Sequence, residues 1–138
     1  MRVEPYLFFN GRCDEAIEFY KKAVDAQVVM IMRFKDSPEP PKPGTIPPGH
    51  ENKVMHAGFK VGDTLVMASD GHSAAGPNFQ GFALSISVPT EAEADKVFAG
   101  LSSNGGNVIM PLAKTFFSPK FGMLTDKFGV NWWIMVGE

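Results

Sequence analysis

Few side chains in this chain have chemistry to offer, and four of them, His56, Lys60, Ser69 and Asp70, lie within one segment that turns at Gly62-Asp63. Glycine at the first turn position suits a two-residue type II′ hairpin. Counting outward from a Val61–Thr64 pair sets Lys60 opposite Leu65, Gly58 opposite Met67 and His56 opposite Ser69. These residues then share one sheet face, with Asp70 on the other. His56 is the candidate catalytic residue. An imidazole with an ordinary pKa near ~6.5 can act as general acid or base or donate to a ligand oxygen, and it can equally be a hydrogen-bonded structural histidine. Lys60, beside the turn, reads as solvated. His50 and His72 lack the short spacing that would join them to His56 in a metal site. Cys13 is the only cysteine, so neither an intrachain disulfide nor a multi-cysteine zinc site can form, and it reads as a small buried residue at a helix start. There is no Gly-x-Ser-x-Gly elbow, Walker-type loop or Gly-rich strand-to-helix turn.

The elements that must position these residues follow from periodicity and turn residues. Residues 4–9 (EPYLFF) read as a strand closed by Asn10-Gly11. Ala16, Phe19, Tyr20 and Ala23 recur at helical spacing within 12–24. Asp14 and Glu15 sit in its first turn, where the dipole favours acids. Residues 27–34 form a second strand. Residues 36–52 carry six prolines, Pro38, Pro40, Pro41, Pro43, Pro47 and Pro48, which forbid a helix interior or central strand. The segment is therefore a loop, either a polyproline-like surface excursion or a functional one. Strands are expected at 53–61, 64–70 and 81–88. Thr90 and Glu93 then form a capping box for a helix with Ala94, Val97, Phe98 and Leu101 on its apolar face, ended by Gly105-Gly106. Strands at 107–117, 121–125 and 131–136 complete the chain. The order strand, helix, three strands thus occurs twice, offset by about 77 residues between Pro5 and Phe82, a repeat of structure rather than of sequence.

At 138 residues the chain suits one domain (1–138), with modules at about 1–75 and 76–138. Its 44% apolar and 20% charged composition and net charge of -2 are those of a globular protein. No basic stripe suits nucleic acid, and the apolar runs are strand-sized, so no membrane span is expected. A cytoplasmic location follows by default.

The βαβββ repeat, PYLFFNGRCDEAIEFY, HAGFKVGDTLVMASD and GGNVIMPLAKTFFSPKFGMLTDKFGVNWWIMV together resemble the PhnB-like family of the glyoxalase, or vicinal oxygen chelate, superfamily. The resemblance implies an α+β fold of two βαβββ modules whose curved mixed sheets form a concave cup, and a homodimer. Metal-using relatives draw His and Glu ligands from the first and fourth strands of each module. Here those positions fall on Pro5, Met67, Phe82 and Trp133. None suits a divalent cation, and a one-residue slip to Glu4, Ala68, Ala83 or Trp132 supplies a single carboxylate. Neither metal nor cofactor is expected.

With Leu7, Phe9, Leu65, Leu84, Ile86 and Met135 as alternate neighbours, these positions describe an apolar floor. It is either a pocket or plain core. The reading that follows is a metal-independent small-molecule binding protein, with His56, Met67, Ser69, Phe82 and Trp133 contacting an apolar or aromatic ligand. The alternative is an isomerase, lyase or transferase using His56 on a carbonyl substrate. Some relatives carry a name implying methyl transfer to a demethylated ubiquinone precursor, for which the sequence has no dinucleotide-type cofactor motif.

Overall fold

The computed structural model describes residues 1–39, 42–73 and 75–137, so Pro40 and Pro41 of the proline-rich loop lie outside the described residues. The chain divides into two compact units, Met1–Asn78 and Phe79–Glu138. Each carries one βαβββ module.

In the first unit, β1 (Tyr6–Phe8) leads through Asn10-Gly11 into α1 (Cys13–Val24), followed by β2 (Gln27–Arg33), β3 (Val54–Val61) and β4 (Thr64–Ser69). The sheet order is β1-β4-β3-β2, with β1 parallel to β4 and the other pairs antiparallel. The β3–β4 turn has the expected form, a positive φ of 57° at Gly62 and none at Asp63. Val61 pairs with Thr64, Lys60 with Leu65 and Gly58 with Met67, the register expected from the turn. α1 buries Cys13, Ala16, Ile17, Tyr20 and Ala23. Tyr20 stacks on Phe59 of β3 at 5.8 Å and meets Phe9 at 6.1 Å. Each such fully buried side chain is worth roughly 1.5–3 kcal/mol. Phe19, expected on the same face, is only half-buried.

Asp70 anchors this unit. Its Oδ1 accepts from the Gly11 and Cys13 backbone N–H groups at 2.7 and 2.9 Å, and its Oδ2 accepts from Val54 N–H at 2.8 Å. One carboxylate thereby satisfies the start of α1 and the start of β3, which explains why a fully buried acid is tolerated there. The loop after β2 begins with a 3₁₀ turn at Phe34–Asp36 and closes with another at His50–Asn52. Arg33 donates to the Asn52 carbonyl at 2.8 Å, and the His72 ring lies 2.9 Å from the Thr45 carbonyl. Arg33 also makes a two-pronged pair with Asp14 on α1, which lowers the Asp14 pKa by hydrogen bonding.

The second unit repeats the plan with β5 (Leu84–Val88), α2 (Glu91–Ser102), β6 (Asn107–Ala113), β7 (Phe121–Thr125) and β8 (Asn131–Val136), in the order β5-β8-β7-β6. Thr90 caps α2 as expected, its hydroxyl accepting from Glu93 N–H at 3.2 Å. The helix stops at Ser102, ahead of Gly105-Gly106, because the Ser102 and Ser103 hydroxyls donate to the carbonyls of Phe98 and Gly100. β6 ends at Ala113 rather than 117, since Thr115 Oγ1 accepts from Ser118 N–H and folds the chain into a turn. Asp126 is this unit's counterpart of Asp70, accepting from Phe128 N–H, Val130 N–H and Trp132 Nε1–H.

The repeat reaches further into the sequence than structure alone. β2 (QVVMIM) and β6 (NVIMPL) align at an offset of 80 residues, and their ladders slip at the equivalent step, Val28 to Met30 and Val108 to Met110. No helix among the described residues is long and apolar enough to cross a membrane.

Candidate functional site

Each sheet presents one face to its helix and one away from it. Register decides which residues occupy each. In the first sheet Ala57, Phe59, Val66 and Ala68 are buried on the α1 side. His56, Gly58, Lys60, Leu65, Met67 and Ser69 therefore occupy the open face. The parallel β1–β4 ladder pairs Tyr6 with Met67, Leu7 with Ala68 and Phe8 with Ser69. This corrects the expected phase of β1. Leu7 and Phe9 are 2% and 0% exposed and face the α1 side, whereas Tyr6 and Phe8 stand on the open face beside Met67 and Ser69. β2 adds Met30 opposite Gly58 and Met32 opposite His56.

The polar centre of that face is a pair that the sequence did not reveal. The Tyr6 hydroxyl lies 3.0 Å from His56 Nδ1, the rings are 5.6 Å apart, and Phe8 lies 5.0 Å from Tyr6. If the hydroxyl donates, the imidazole proton resides on Nε2, which becomes a donor. If Nδ1–H donates to the hydroxyl, Nε2 becomes a basic acceptor. Among the described residues no other hydrogen bond is made by the His56 ring, so Nε2 is the atom offered to a ligand. Tyr6 was missed because EPYLFF is apolar at both phases, and alternation alone cannot say which phase meets the helix. Its signal lay in the register of β1 with β4.

Ser69 does not project freely. It is 2% exposed, and its Oγ accepts from Gly71 N–H at 3.1 Å, closing the turn after β4. Met67 is half-buried beside Gly58. A Cβ on Gly58 would lie 3.3 Å from Leu65 Cδ1 and 4.0 Å from Met30 Cγ, so these side chains lean over the space that glycine leaves. His50 is buried, and its Nε2 has no partner among the described residues; His72 is held at the loop, and neither is grouped with His56.

In the second sheet, Trp132 and Ile134 are buried at 3% and 0% whereas Trp133 is 45% exposed. Leu84 and Ile86 pair with Trp132 and Ile134, so they belong to the helix side rather than to an apolar pocket floor. The open face instead carries Ser85 beside Trp133 and Ser87 beside Met135. The Trp133 ring meets Phe121 edge-on at 5.5 Å, and Phe121 meets Phe117 at 5.0 Å. Phe82 lies ahead of β5, 43% exposed, with its ring 6.4 Å from Phe79. Of the five expected ligand contacts, the first unit thus groups His56, Met67 and Ser69, while Phe82 and Trp133 belong to the second.

The corrected phases also move two of the four positions at which metal-using relatives place ligands. Pro5 gives way to Tyr6 and Phe82 to Ser85, with Met67 and Trp133 retained. Among the described residues no three His, Cys, Asp or Glu side chains converge. Neither the phenol and thioether of the first unit nor the aliphatic hydroxyl and indole of the second suit a zinc- or nickel-type divalent ion. The Cys13 thiol is buried, and burial next to Asp70 pushes its pKa up, which keeps it protonated and unreactive.

Comparison with known proteins agrees with this architecture. A family model described as 3-demethylubiquinone-9 3-methyltransferase matches residues 1–135. Protein PA1353 from Pseudomonas aeruginosa is 39% identical, with 99% of this chain and 97% of that one covered and a TM-score of 0.84. The PhnB protein from Bacillus cereus is 33% identical, covering 99% and 100%, with a TM-score of 0.76. A glyoxalase-related enzyme from Fulvimarina pelagi shares the fold at 14% identity, 99% and 88% coverage and a TM-score of 0.59.

Proposed function

The chain belongs to the PhnB-like family described as 3-demethylubiquinone-9 3-methyltransferase, within the glyoxalase fold, and from that membership we propose a binding protein for small ring compounds. The ligand is largely apolar and carries a carbonyl or hydroxyl oxygen. It lies on the open face of the first sheet and is bound without a divalent metal. The observation that carries this reading is the Tyr6–His56 pair, 3.0 Å apart, set among Phe8, Met30, Met32 and Met67. An apolar surface with one fixed polar anchor is the usual form of a small-molecule site. His56 Nε2 meets the ligand oxygen, Tyr6 orients the imidazole, and the methionines adapt to the ring. In the second sheet Trp133 supplies a separate aromatic surface for stacking. The protein acts as a cytoplasmic homodimer in this reading.

Isothermal titration with hydroxylated and methoxylated benzoquinones tests it, alongside the His56→Ala and Tyr6→Phe variants. Binding that weakens about tenfold in His56→Ala, the effect of losing roughly one ligand hydrogen bond, is expected. Wild-type protein that binds none of the panel would sink the reading.

A second reading has its own observation. Anchoring Nδ1 while leaving Nε2 unclaimed is the arrangement of a general acid or base, so His56 could serve an isomerase, lyase or transferase acting on a carbonyl substrate. Turnover that disappears in folded His56→Ala would favour the enzyme; ligand binding without turnover by the wild type would favour the binding protein.

A further inference from the structure

Met67, one of the side chains that fail a divalent centre, stands among neighbours suited to a different ion. Thioether sulfur is a soft donor that selects monovalent copper over zinc, nickel or magnesium, and imidazole is compatible with it. Met30 and Met67 are both paired with Gly58, one from each side, on the open face of the first sheet. Their Cα atoms are then about 10 Å apart, two strand spacings, and the space over Gly58 between them is shared with Leu65, whose Cδ1 lies 3.3 Å from where a Gly58 Cβ would stand. Met30 Cγ already leans to 4.0 Å from where a Gly58 Cβ would stand. Methionine has three rotatable bonds, which lets the two sulfurs reach towards each other over Gly58 and the Leu65 methyl that leans across it. His56 is two residues from Gly58 on the same strand, roughly 7 Å along the same face, and Met32 is its neighbour on β2.

The environment of His56 supplies an independent argument. Metal-ligating histidines nearly always hold their second ring nitrogen in a hydrogen bond, which fixes the tautomer and aims the ligating nitrogen. Here Nδ1 is engaged by the Tyr6 hydroxyl at 3.0 Å. With Nδ1–H donating to that oxygen, Nε2 presents its lone pair to the face that holds the methionines.

We propose that the open face of the first sheet binds one soft monovalent cation, Cu(I) or Ag(I), through Met30 Sδ, Met67 Sδ and His56 Nε2. Gly58 and Leu65 form the floor of the site and Tyr6 is a positioning residue. The proposal rests on this donor set and not on the organic-ligand reading.

The test uses the full chain with Cys13→Ala, which removes the one thiol able to compete for soft ions. Ag(I) serves as the redox-inert probe, and Cu(I) follows in competition with a chromophoric chelator. Methionine methyl groups carrying a carbon-13 label report which sulfurs bind. The expected result is one ion per chain, with the Met30 and Met67 methyl signals and the His56 ring shifting together while those of Met110, Met123 and Met135 stay in place. Met30→Leu with Met67→Leu should abolish the saturable shift, and Tyr6→Phe should weaken binding about tenfold to a hundredfold, as loss of a partner to a ligating imidazole does. Equal shifts at all exposed methionines, or undiminished affinity in the folded double leucine variant, would overturn the proposal. Retained binding of benzoquinones in that event would leave the organic-ligand reading standing, which separates the two failures.

Discussion

At the scale of single residues, the side chains best suited to chemistry are not the ones most deeply held. Asp70 is fully buried and accepts three backbone N–H bonds, so it organises the fold while His56 faces outward. Asp70→Ala leaves three donors without their acceptor and should cost about 4 kcal/mol in urea unfolding, with Asp70→Asn costing less because one acceptor oxygen survives. Cys13 gives a pH prediction. Burial raises its folded pKa above the ordinary thiol value, so the folded state holds its proton more tightly than the unfolded chain. Its contribution to stability is full below about pH 8.5 and declines as pH rises above that towards the folded value. Wild-type stability should therefore fall between pH 8 and 10 (approximate bounds from the ordinary thiol value) more steeply than that of Cys13→Ala, and a thiol reagent should label native protein only as fast as it unfolds. Histidine at position 56 was legible as a candidate from residue type and hairpin register. Its partner was not, because a contact that crosses β4 from β1 to β3 has no short-range signal.

At the scale of elements, hairpin geometry was the most informative feature of the sequence. One glycine with positive φ set the β3–β4 register, and through it the company that His56 and Met67 keep. The central strand β7 shows the opposite use of glycine. A Cβ on Gly122 would lie 2.7 Å from Phe98 Cε2 and 3.0 Å from the Met110 carbonyl oxygen, so α2 and β6 approach β7 where no larger residue fits. Gly122→Ala should cost about 1–3 kcal/mol by overpacking, read as a lowered thermal midpoint. An unchanged midpoint would mean that α2 can shift freely on its sheet. Helix and strand ends were less legible than their centres. The Ser102 and Ser103 hydroxyls and the Thr115 turn end α2 and precede β7 through side-chain hydrogen bonds that compete with periodicity.

At the scale of the whole molecule, β2 and β6 each form one edge of their sheet and keep large apolar side chains exposed, Val29 at 59% and Ile109 at 54%. Edges of this kind invite pairing with another chain. Self-association is the expected outcome, and Val29→Lys with Ile109→Lys should shift the protein to monomer in sedimentation velocity without lowering its thermal midpoint. A monomeric wild type would remove the homodimer from the functional reading. The repeated βαβββ order, most of each helix face and the β3–β4 register were determined by the sequence, because local periodicity and turn residues act over a few positions at a time, and the family was legible in the resemblance of its longer motifs. Which phase of β1 and β5 looks away from the helices was decided only by tertiary structure. Alternation says which residues share a face, but the helix packed on the sheet says which face is buried. For β5 the apolar phase, Leu84 and Ile86, went to the helix and left Ser85 and Ser87 outside; for β1, apolar at both phases, the same choice placed Tyr6 next to His56.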